Sequence, residues 1–460
     1  MRSSPQMDAA VEISPLTVLV RSVLEWIFPE GTFETLFGQY GSKGQVRKLA
    51  ISAVIWLMLQ VVSGARRSVF AAFQADQAME APTIAASYQA LYGKIGRMAP
   101  TFSCALVRES ANRLSPLMRA AGCTTVPGWS RYRLRIIDGT QPDGTEHRLG
   151  VLRTIKSAGL PCQFVVEYDP ATGLCVDAAA SEDAYTSERV LAAELLERID
   201  ANDLIVADRG FCTLKLLTQI VDQRAHFVIR EHQQLCTQRR ARRRKKGRIE
   251  TGLVWEEAIE VYDPETGRRI KVRRIIVELD EPTREGETEI RILTNLPRRA
   301  TAERVAVLYR DRWTIERHFD FLKNDLHGQI ESLGRPRAAI LSLCLAMVAA
   351  NAAAAVKQAI KAAHGEEEYD RLSGYYLADE IAGNYRAIDR FVKQATWNRL
   401  AETTAPKFWR WCRQLAGEIR TSAFYTHPRG PKTPPPKRAS GKKHHHYSTY
   451  RLLQAAKKRC

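Results

Sequence analysis

The order of apolar and polar residues changes character near residue 130. Between about residues 15 and 120, apolar side chains recur at three- and four-residue spacing, which predicts helices, and the breaks fall at PEG, YGSKG and MEAPT. From RLRIIDGT onward the apolar runs become short and strand-like, as in QFVVEYD, LCVDAAAS, DLIVAD and HFVIRE. The first strands follow one another through a DPATG turn and the later ones alternate with helical patterns. This order predicts a mixed α/β sheet.

The pattern changes again between residues 238 and 296. The basic run QRRARRRKKGR interrupts the regular pattern, and three alternating runs follow it, namely EEAIEVYD, RRIKVRRIIVELD and TEIRILTNL. Turn-rich stretches separate these runs, so the block predicts a small antiparallel sheet inserted into the larger one.

Two segments are apolar enough to raise the question of a membrane. LAISAVIWLMLQVVSG is too short to cross a bilayer comfortably, whereas AAILSLCLAMVAANAAAAV is long enough but alanine-rich and contains Asn351. We interpret both as buried helices and expect no membrane partner.

The charge balance narrows the class of partner. The chain has 69 Lys and Arg against 51 Asp and Glu, a formal charge of +18 and a pI near 9.6. Such a balance favours a polyanion, chiefly nucleic acid. The start of the sequence lacks the apolar run of a secretory signal, and the nine cysteines include no C-x-x-C pair. We therefore expect a cytoplasmic protein with reduced thiols.

One helix carries an unusual mixture of charge and hydrophobicity, YRDRWTIERHFDFLK, residues 309–323. At about 100° per residue, Tyr309, Arg312, Glu316 and Lys323 fall within a stripe roughly 60° wide. Apolar residues lie directly beside this stripe, so its polar groups border the buried face. Taken alone, these residues favour a surface network, in which an Arg312–Glu316 pair is worth about 0.3 kcal/mol.

Two acidic residues follow strand-like runs elsewhere in the chain. Asp138 follows RLRII and precedes a glycine, and Asp208 follows DLIVA and precedes Arg-Gly. Two strand-end acids and Glu316 on a helix edge could hold two divalent cations for phosphodiester chemistry. Oxygen ligands favour Mg²⁺, with Mn²⁺ as a substitute.

Other acids compete for these roles. Asp143 lies in a second DGT, but Pro142-Asp143-Gly144 is typical of a turn, so we favour Asp138. Glu167 and Asp169 are also nearby, although Asp169-Pro170 is typical of a hairpin turn.

The spacing Tyr-x2-Arg-x3-Glu-x6-Lys resembles the YREK motif of bacterial insertion-sequence transposases of family four. IIDGT and VADRGF resemble the blocks that carry the first two acids of that family, and the resemblance covers roughly residues 130–360. It implies a ribonuclease-H-like fold, a DDE triad of Asp138, Asp208 and Glu316, and a strand-rich insertion before the glutamate. Tyr309, Arg312 and Lys323 would then hold DNA phosphates.

The resemblance and the residue pattern together predict five segments. These are a helical N-terminal DNA-binding region (1–125), the first part of the catalytic core (126–232), a β-rich insertion (233–296), the second part of the core (297–365), and a helical C-terminal region with a basic, partly disordered tail (366–460).

The predicted function is a DDE transposase that binds the terminal inverted repeats of its element, cuts the DNA ends and joins them to target DNA. The resemblance implies a homodimer in the DNA complex and a location on the bacterial nucleoid. Two alternatives are a catalytically inactive, transposase-derived DNA-binding protein or repressor, and a nuclease that cuts without joining.

Two further features are candidates for DNA contact. The basic run contains Arg242, Arg243, Arg244, Lys245 and Lys246, which suit DNA phosphates, although a solvated loop is the alternative. Trp255 suits stacking on an unpaired base, as the resemblance implies, whereas packing within the small sheet is the simpler explanation.

Overall fold

The computed structural model describes residues 4–41, 49–142, 149–283, 286–330, 332–426 and 447–458. Within them, the helices are α1 (Pro5–Ile13), α2 (Pro15–Ile27), α3 (Thr32–Tyr40), α4 (Ile51–Val62), α5 (Val69–Gln77), α6 (Tyr88–Ile95), α7 (Pro100–Ala120), α8 (Glu188–Leu196), α9 (Leu214–Asp222), α10 (Ala302–Arg310), α11 (Thr314–Asp320), α12 (Pro336–His364), α13 (Glu366–Asp370), α14 (Gly374–Phe391), α15 (Gln394–Ala401), α16 (Ala405–Ala416) and α17 (Thr449–Lys457).

The strands fall mainly between residues 133 and 294. They are β1 (Arg133–Thr140), β2 (Gly159–Leu160), β3 (Gln163–Asp169), β4 (Leu174–Ser181), β5 (Asp203–Ala207), β6 (His226–Arg230), β7 (Thr237–Arg239), β8 (Arg244–Ile249), β9 (Gly252–Tyr262), β10 (Arg269–Leu279), β11 (Glu289–Thr294) and β12 (Tyr447–Ser448).

Ten strands form one mixed sheet. Its order is β4-β3-β1-β5-β6-β11-β10-β9-β7, with β8 also paired to β9. β1 is antiparallel to β3 but parallel to β5, and β5 is parallel to β6. Three antiparallel strands followed by two parallel ones form a ribonuclease-H-like core. The predicted α/β class, with helical regions before and after the sheet, is confirmed.

The strands of the insertion extend the core sheet. β11 pairs with β6 through Ile292 opposite Arg230 and Leu293 opposite Ile229, so β7 to β11 continue the same hydrogen-bonded surface. The expected antiparallel strands are present, but they continue the core sheet instead of forming a small sheet of their own. An open edge on β6 accepts β11, and such pairing depends on which strands meet in space.

Part of the basic run is also regular structure. β8 begins at Arg244 and pairs with β9 through a register shift between Lys245 and Gly247. The expected break in regularity is thus limited to the residues between β7 and β8.

Helices cover both faces of the sheet. Alternate residues of β5 point to opposite sides, with Leu204 and Val206 in a large apolar cluster shared with α7, α10 and α12. Ile205 and Ala207 belong to a second cluster, which α8 and α9 complete. Burial on both faces explains why DLIVA is almost wholly apolar.

The two long apolar segments are core helices, as predicted. α12 is long and apolar enough to cross a membrane by composition, but 89% of its most apolar window is buried within the protein. Most of α4 is buried as well. Asn351 of α12 is fully buried, where it accepts from the Cys175 N–H and donates to the Cys175 carbonyl of β4, both at 2.8 Å. Its amide also donates to Ser110 at 2.8 Å, which ties α12 to α7 and the sheet.

The charged helix of residues 309–323 is less regular than expected. The helical segment begins with α10 at Ala302, where the Thr301 hydroxyl accepts from the Arg304 N–H. A 3-10 turn at Asp311–Trp313 separates α10 from α11, and a π-helical turn at Phe321–Asp325 follows. Both turns change the angular spacing of the side chains, so the even 100° step holds only locally.

The C-terminal segment returns to the core, where β12 and β2 form a separate two-stranded sheet. The stretch expected to be disordered coincides with residues 427–446, which lie outside the described residues. Beyond it, β12 pairs with β2, and Ser448 donates to the Asp183 carboxylate at 2.6 Å. Arg451 of α17 pairs with the same carboxylate at 2.6 Å, so α17 contacts the loop between β4 and α8.

Candidate active site

The sheet register makes Asp138 and Asp208 neighbours. Ile137 lies opposite Ala207 in the last parallel pair of β1 and β5, and the next residue on each strand is an aspartate. Asp138 is still within β1, opposite Val166 of β3, whereas Asp208 lies just beyond the end of β5. Asp138 therefore lies where the β1–β5 pairing ends, two residues before the end of β1 itself.

Arg312 connects the first and third acids of the predicted triad. Its guanidinium donates to Asp138 at 2.8 Å and to Glu316 at 3.1 Å. Arg312 is only 7% exposed, although it belongs to a helix rich in exposed charge. The polar stripe predicted for Arg312 and Glu316 therefore faces the strand-end aspartate, rather than forming only a surface pair.

Tyr309 completes the contact with the second acid. Its buried hydroxyl donates to Asp208 at 3.2 Å. Lys323 is half-buried in the π-helical turn. The apolar residues expected beside the stripe are all buried, namely Leu308, Ile315, Phe319 and Leu322.

The electrostatics of the site centre on Asp138. Burial raises the pKa of the Asp138 carboxyl to about 6, and the charges of Asp208 and Glu188 contribute to the rise, while Arg312 and the Gly139 N–H oppose it. The Arg312 guanidinium has a raised pKa because the nearby acids stabilise its charge against burial. Burial also raises the pKa of Tyr309, so the residue remains a neutral donor. Asp138 is thus a buried acid near other negative charges, and Arg312 only partly offsets the effect on its pKa.

The donor set suits a hard divalent cation, because carboxylate oxygens are the ligands that Mg²⁺ and Mn²⁺ prefer. In this conformation, however, the carboxylates lie farther apart than a shared metal ion requires. Among the residues that the structure describes, no group of three acids, histidines or cysteines lies close enough together to hold a metal ion. The Arg312 guanidinium lies between Asp138 and Glu316, so cation binding would require this side chain to give up part of that contact.

The competing acids have other surroundings. Asp143 lies outside the described residues. Arg135 forms ion pairs with Glu167 at 3.0 Å and with Asp169 at 2.7 Å, in a buried cluster. These two acids therefore connect β3 to Arg135 of β1, and neither contacts Asp138, Asp208 or Glu316 through a described hydrogen bond or ion pair.

Two residues of the charged segment, His318 and Trp313, lie in surroundings that the residue pattern did not predict. His318 belongs to the charged run, yet its ring lies 3.1 Å from the Cys175 thiol and packs on Tyr168. Burial lowers the pKa of His318 to about 3, so the ring is neutral. Trp313 is 61% exposed, and its ring centroid lies 5.9 Å from the Arg312 guanidinium carbon. The sequence signal that could have singled out Trp313 is a tryptophan within a charged run. Its exposure, however, depends on the 3-10 turn at Asp311–Trp313.

The basic run divides into paired and unpaired cations. Arg243 pairs with Glu278 and Glu289, and Lys246 pairs with Glu256 at 3.3 Å. Three exposed cations form no ion pair within the described part of the chain, and these are Arg242, Arg244 and Lys245. They are the members of the run most available to a polyanion.

Strand β8 lies beside the helix that carries Tyr309 and Arg312. Gly247 leaves room for Glu303 of α10, since an ideal Cβ built there would lie 2.5 Å from the glutamate Oε1. Arg310 pairs with Glu250 at 2.6 Å just after β8. The exposed cations of β8 are therefore held close to α10.

Trp255 is part of the sheet in this structure. Its indole N–H donates to Glu278 at 2.8 Å, and the Arg243 guanidinium lies 4.9 Å from the ring. These contacts correspond to packing within the sheet, the simpler explanation for this residue. Stacking on a base would require the ring to break them.

A comparison with protein-family models matches the part of the chain that contains these residues. Residues 129–352, a little under half of the chain, match the model described as the transposase DDE domain. The match begins just before β1 and ends within α12, so it contains Asp138, Asp208 and Glu316. It supports a DDE transposase as the class of this protein. A search of the curated proteins found no match.

Proposed function

We propose that the protein is an insertion-sequence transposase of the YREK type, which binds the terminal inverted repeats of its element, cuts the DNA ends and joins them to target DNA. Asp138, Asp208 and Glu316 are its catalytic carboxylates. The observation that carries the proposal is the contact of Arg312 with Asp138 and Glu316, next to the aligned ends of β1 and β5. The match to the transposase DDE domain supports the same class.

The three carboxylates would hold two Mg²⁺ ions, or Mn²⁺ in their place. Such cations supply Lewis-acid activation of the attacking hydroxyl and stabilisation of the leaving oxygen in phosphodiester chemistry. The burial of Asp138 near other negative charges supports this role, since a nearby cation would stabilise its charged form.

Tyr309, Arg312 and Lys323 would position the phosphates of the DNA end. Arg312 has a planar group with several donors, which suits a phosphate as well as it suits the carboxylates it contacts here. Exchange of one partner for the other would let DNA binding and cation binding occur together, because the arginine would vacate the space between Asp138 and Glu316.

The exposed cations Arg242, Arg244 and Lys245 would extend the DNA surface beyond the site, with Arg243, Lys246 and Trp255 as further candidates beside them. These residues lie on or next to β8, which packs against α10. The net charge of +18 supports binding to a polyanion over a long surface. We propose that the N-terminal helices, residues 1–125, and the C-terminal region contribute the remaining contacts.

Two DNA ends must be brought together for joining, so we propose a homodimer that assembles on DNA. We propose that the protein acts in the cytoplasm, at the bacterial nucleoid.

The proposal can be tested with the full-length protein, Mg²⁺ and duplex DNA that carries the inverted repeats flanking its gene. Glu316→Gln removes one carboxylate charge with little change in volume. Asp320→Asn is the matched control, because Asp320 is an exposed acid on the same helix. We expect the wild type and Asp320→Asn to cut and join the DNA, and Glu316→Gln to bind the repeats without cutting them.

The other outcomes separate the alternatives. Repeat binding without cleavage by the wild type would favour the inactive DNA-binding protein. Cleavage without joined products would favour the nuclease. Equal cleavage by wild type and Glu316→Gln would remove Glu316 from the catalytic set.

A further inference from the structure

A basic groove lies at the sheet edge to which Asp138 and Asp208 also belong. The groove has a volume of about 320 Å³, and its four cations are Arg97, Arg335, Arg337 and Lys457. Its lining also contains one acid, Glu182.

The sheet register fixes the position of the groove relative to the acids. β4 is parallel to β1, because both are antiparallel to β3, and so the two strands end at the same edge. Ala178 of β4 lies in one row with Asp138, through Val166 of β3. Glu182 follows β4, two strands across and four residues beyond this row, so at ordinary strand spacings its backbone lies about 16 Å from that of Asp138.

The start of α12 and the connection between α6 and α7 form one wall of the groove. Arg337, in the first turn of α12, pairs with Glu182 at 2.8 Å. Arg335 packs its stem against Gly96, since an ideal Cβ built on this glycine would lie 3.0 Å from the arginine Cδ. Arg97 is the next residue after Gly96, so the connection brings a further cation to the start of α12.

α17 forms another wall. It contributes one helix face, at three- and four-residue spacing, made of Tyr450, Leu453, Gln454 and Lys457. An ion pair between Arg451 and Asp183 holds α17 beside the end of β4, and β12 pairs with β2 just before this helix. Lys457 is therefore held in the same groove as the cations of α12.

Most of the positive charge in the groove has no counter-ion. Arg97, Arg335 and Lys457 are exposed, and none of them forms an ion pair with another described residue. α12 begins with Pro336 and has neither a side-chain cap nor an acid in its first turn, so its N-terminal dipole adds to the positive potential. Surplus positive charge in a groove favours an anionic ligand.

The position of the groove favours a ligand that also reaches the acids. A distance of about 16 Å corresponds to about five base pairs of a duplex, at about 3.4 Å per pair. The basic run at β8 lies on the other side of the acids, because β4 and β9, the partner of β8, are on opposite sides of β1 and β5 in the sheet order. A small anion could occupy only one of these two basic surfaces, whereas a duplex can contact both.

We propose that the basic groove binds the phosphate backbone of duplex DNA, about five base pairs from the phosphate that reacts at Asp138 and Asp208. The inference rests on the proposed function, and it names a DNA contact that neither the basic run nor the charged helix of residues 309–323 supplies. The alternative is a structural role, in which Arg97 and Arg335 only join α6 to α12. That role predicts lower stability without a change in the salt dependence of DNA binding.

The salt dependence of binding tests the proposal without requiring activity. We would measure the affinity of the full-length protein for a labelled duplex by fluorescence anisotropy, without divalent cations, between about 0.05 and 0.2 M salt. One phosphate contact contributes about 0.9 to the slope of log affinity against log salt, or about 5-fold in affinity at about 0.15 M relative to about 1 M salt. We therefore expect Arg97→Gln/Arg335→Gln to lose about 30-fold in affinity and about 1.8 in slope, for repeat and unrelated duplexes alike.

Two control variants separate the charge of the groove from its structure. Arg410→Gln/Arg413→Gln removes two exposed arginines of α16, which lies at the other end of α12, a helix about 43 Å long. We expect this variant to keep the wild-type slope. Arg97→Lys/Arg335→Lys retains both charges and should also keep most of the slope, because counter-ion release depends on charge.

Separate assays assign the DNA that occupies the groove. Cleavage of a repeat-bearing duplex at limiting protein reports contact with the element end, and joining of pre-cut ends to an unrelated duplex reports contact with target DNA. If Arg97→Gln/Arg335→Gln needs more protein for cleavage, the groove holds the element end. If the loss is confined to joining, the groove holds target DNA.

The proposal is overturned if Arg97→Gln/Arg335→Gln keeps the wild-type salt slope, or if Arg410→Gln/Arg413→Gln loses as much slope. Cleavage by the wild type, with binding but no cleavage by Glu316→Gln, would then leave the proposed function intact. If the wild type binds no DNA, the proposed function fails and takes this inference with it.

Discussion

Replacing Arg312 with glutamine removes the cation that lies between the carboxylates of Asp138 and Glu316. The Asp138 contact is the costly one to lose, because both side chains are largely buried, at 8% and 18% exposed. Removing one partner of a buried ion pair typically costs about 3–5 kcal/mol. The Glu316 side chain is 40% exposed, so its pair with Arg312 adds only about 0.3–0.5 kcal/mol. We therefore expect Arg312→Gln to lower the free energy of unfolding of the core by about 3 kcal/mol in the absence of metal.

The same substitution should strengthen the response to divalent cations. Without Arg312, Mn²⁺ would be the remaining means of offsetting the charges of Asp138, Asp208 and Glu316. A cation present at about 100 times its dissociation constant stabilises the folded state by about 2.7 kcal/mol. Most of the stability lost in Arg312→Gln should therefore return when Mn²⁺ is added, and the wild type should gain less.

Urea denaturation with and without Mn²⁺ measures both effects. Arg310→Gln is the matched control, since Arg310 lies two residues away at the end of α10 and pairs with Glu250, and both side chains are exposed. An exposed pair is worth less than about 1 kcal/mol. If Arg312→Gln and Arg310→Gln lose similar stability, or if Mn²⁺ stabilises the wild type and Arg312→Gln equally, the role of Arg312 as the counter-ion of the site is refuted.

Two further predictions concern the scaffold. Burial raises the pKa of Glu167 from its ordinary 4.5 to about 7, against the attraction of Arg135, so the folded state binds this proton more tightly than the unfolded state. The contribution of Glu167 to the free energy of unfolding therefore falls by roughly 3 kcal/mol as pH rises from about 4.5 to 7. In urea denaturation, the stability of Glu167→Gln should rise relative to the wild type between pH 5 and pH 8. The exposed Glu197→Gln should show no such rise. A difference that stays constant with pH would contradict this assignment. Asn351→Ala should lower the free energy of unfolding by about 2–4 kcal/mol, because it leaves buried backbone groups of β4 without partners. The control is Asn384→Ala, which loses only contacts within its own helix and should cost less than about 1 kcal/mol. Equal losses would show that the Asn351 contacts add no stability.

Local patterns were sufficient for much of the scaffold. The three- and four-residue spacing of apolar residues predicted the N-terminal helices, and the apolar runs at RLRII and DLIVA predicted β1 and β5. The burial of the apolar residues beside the polar stripe, Leu308, Ile315 and Phe319, also followed from sequence. These features depend on which side of one element is buried, and the order of residues records that directly.

Pairing between distant elements was not predictable in the same way. The joining of β11 to β6 turned an expected second sheet into an extension of the first. The neutral, packed state of His318 depends on Cys175 and Tyr168, which come from β3 and β4. Neither contact leaves a periodic signal in the sequence, because each depends on where two separate segments meet.

The sequence alone determined the elements, the positive charge and the spacing of Tyr309, Arg312, Glu316 and Lys323. The tertiary structure decided which groups these residues contact. It placed Asp138 beside Asp208 through the register of β1 and β5, and set Arg312 against Asp138 and Glu316. It also brought Arg97 and Arg335 into one groove at the same sheet edge. Helix and strand patterns record burial along one segment, whereas a site is assembled from segments whose register and packing are fixed only when the whole sheet is formed.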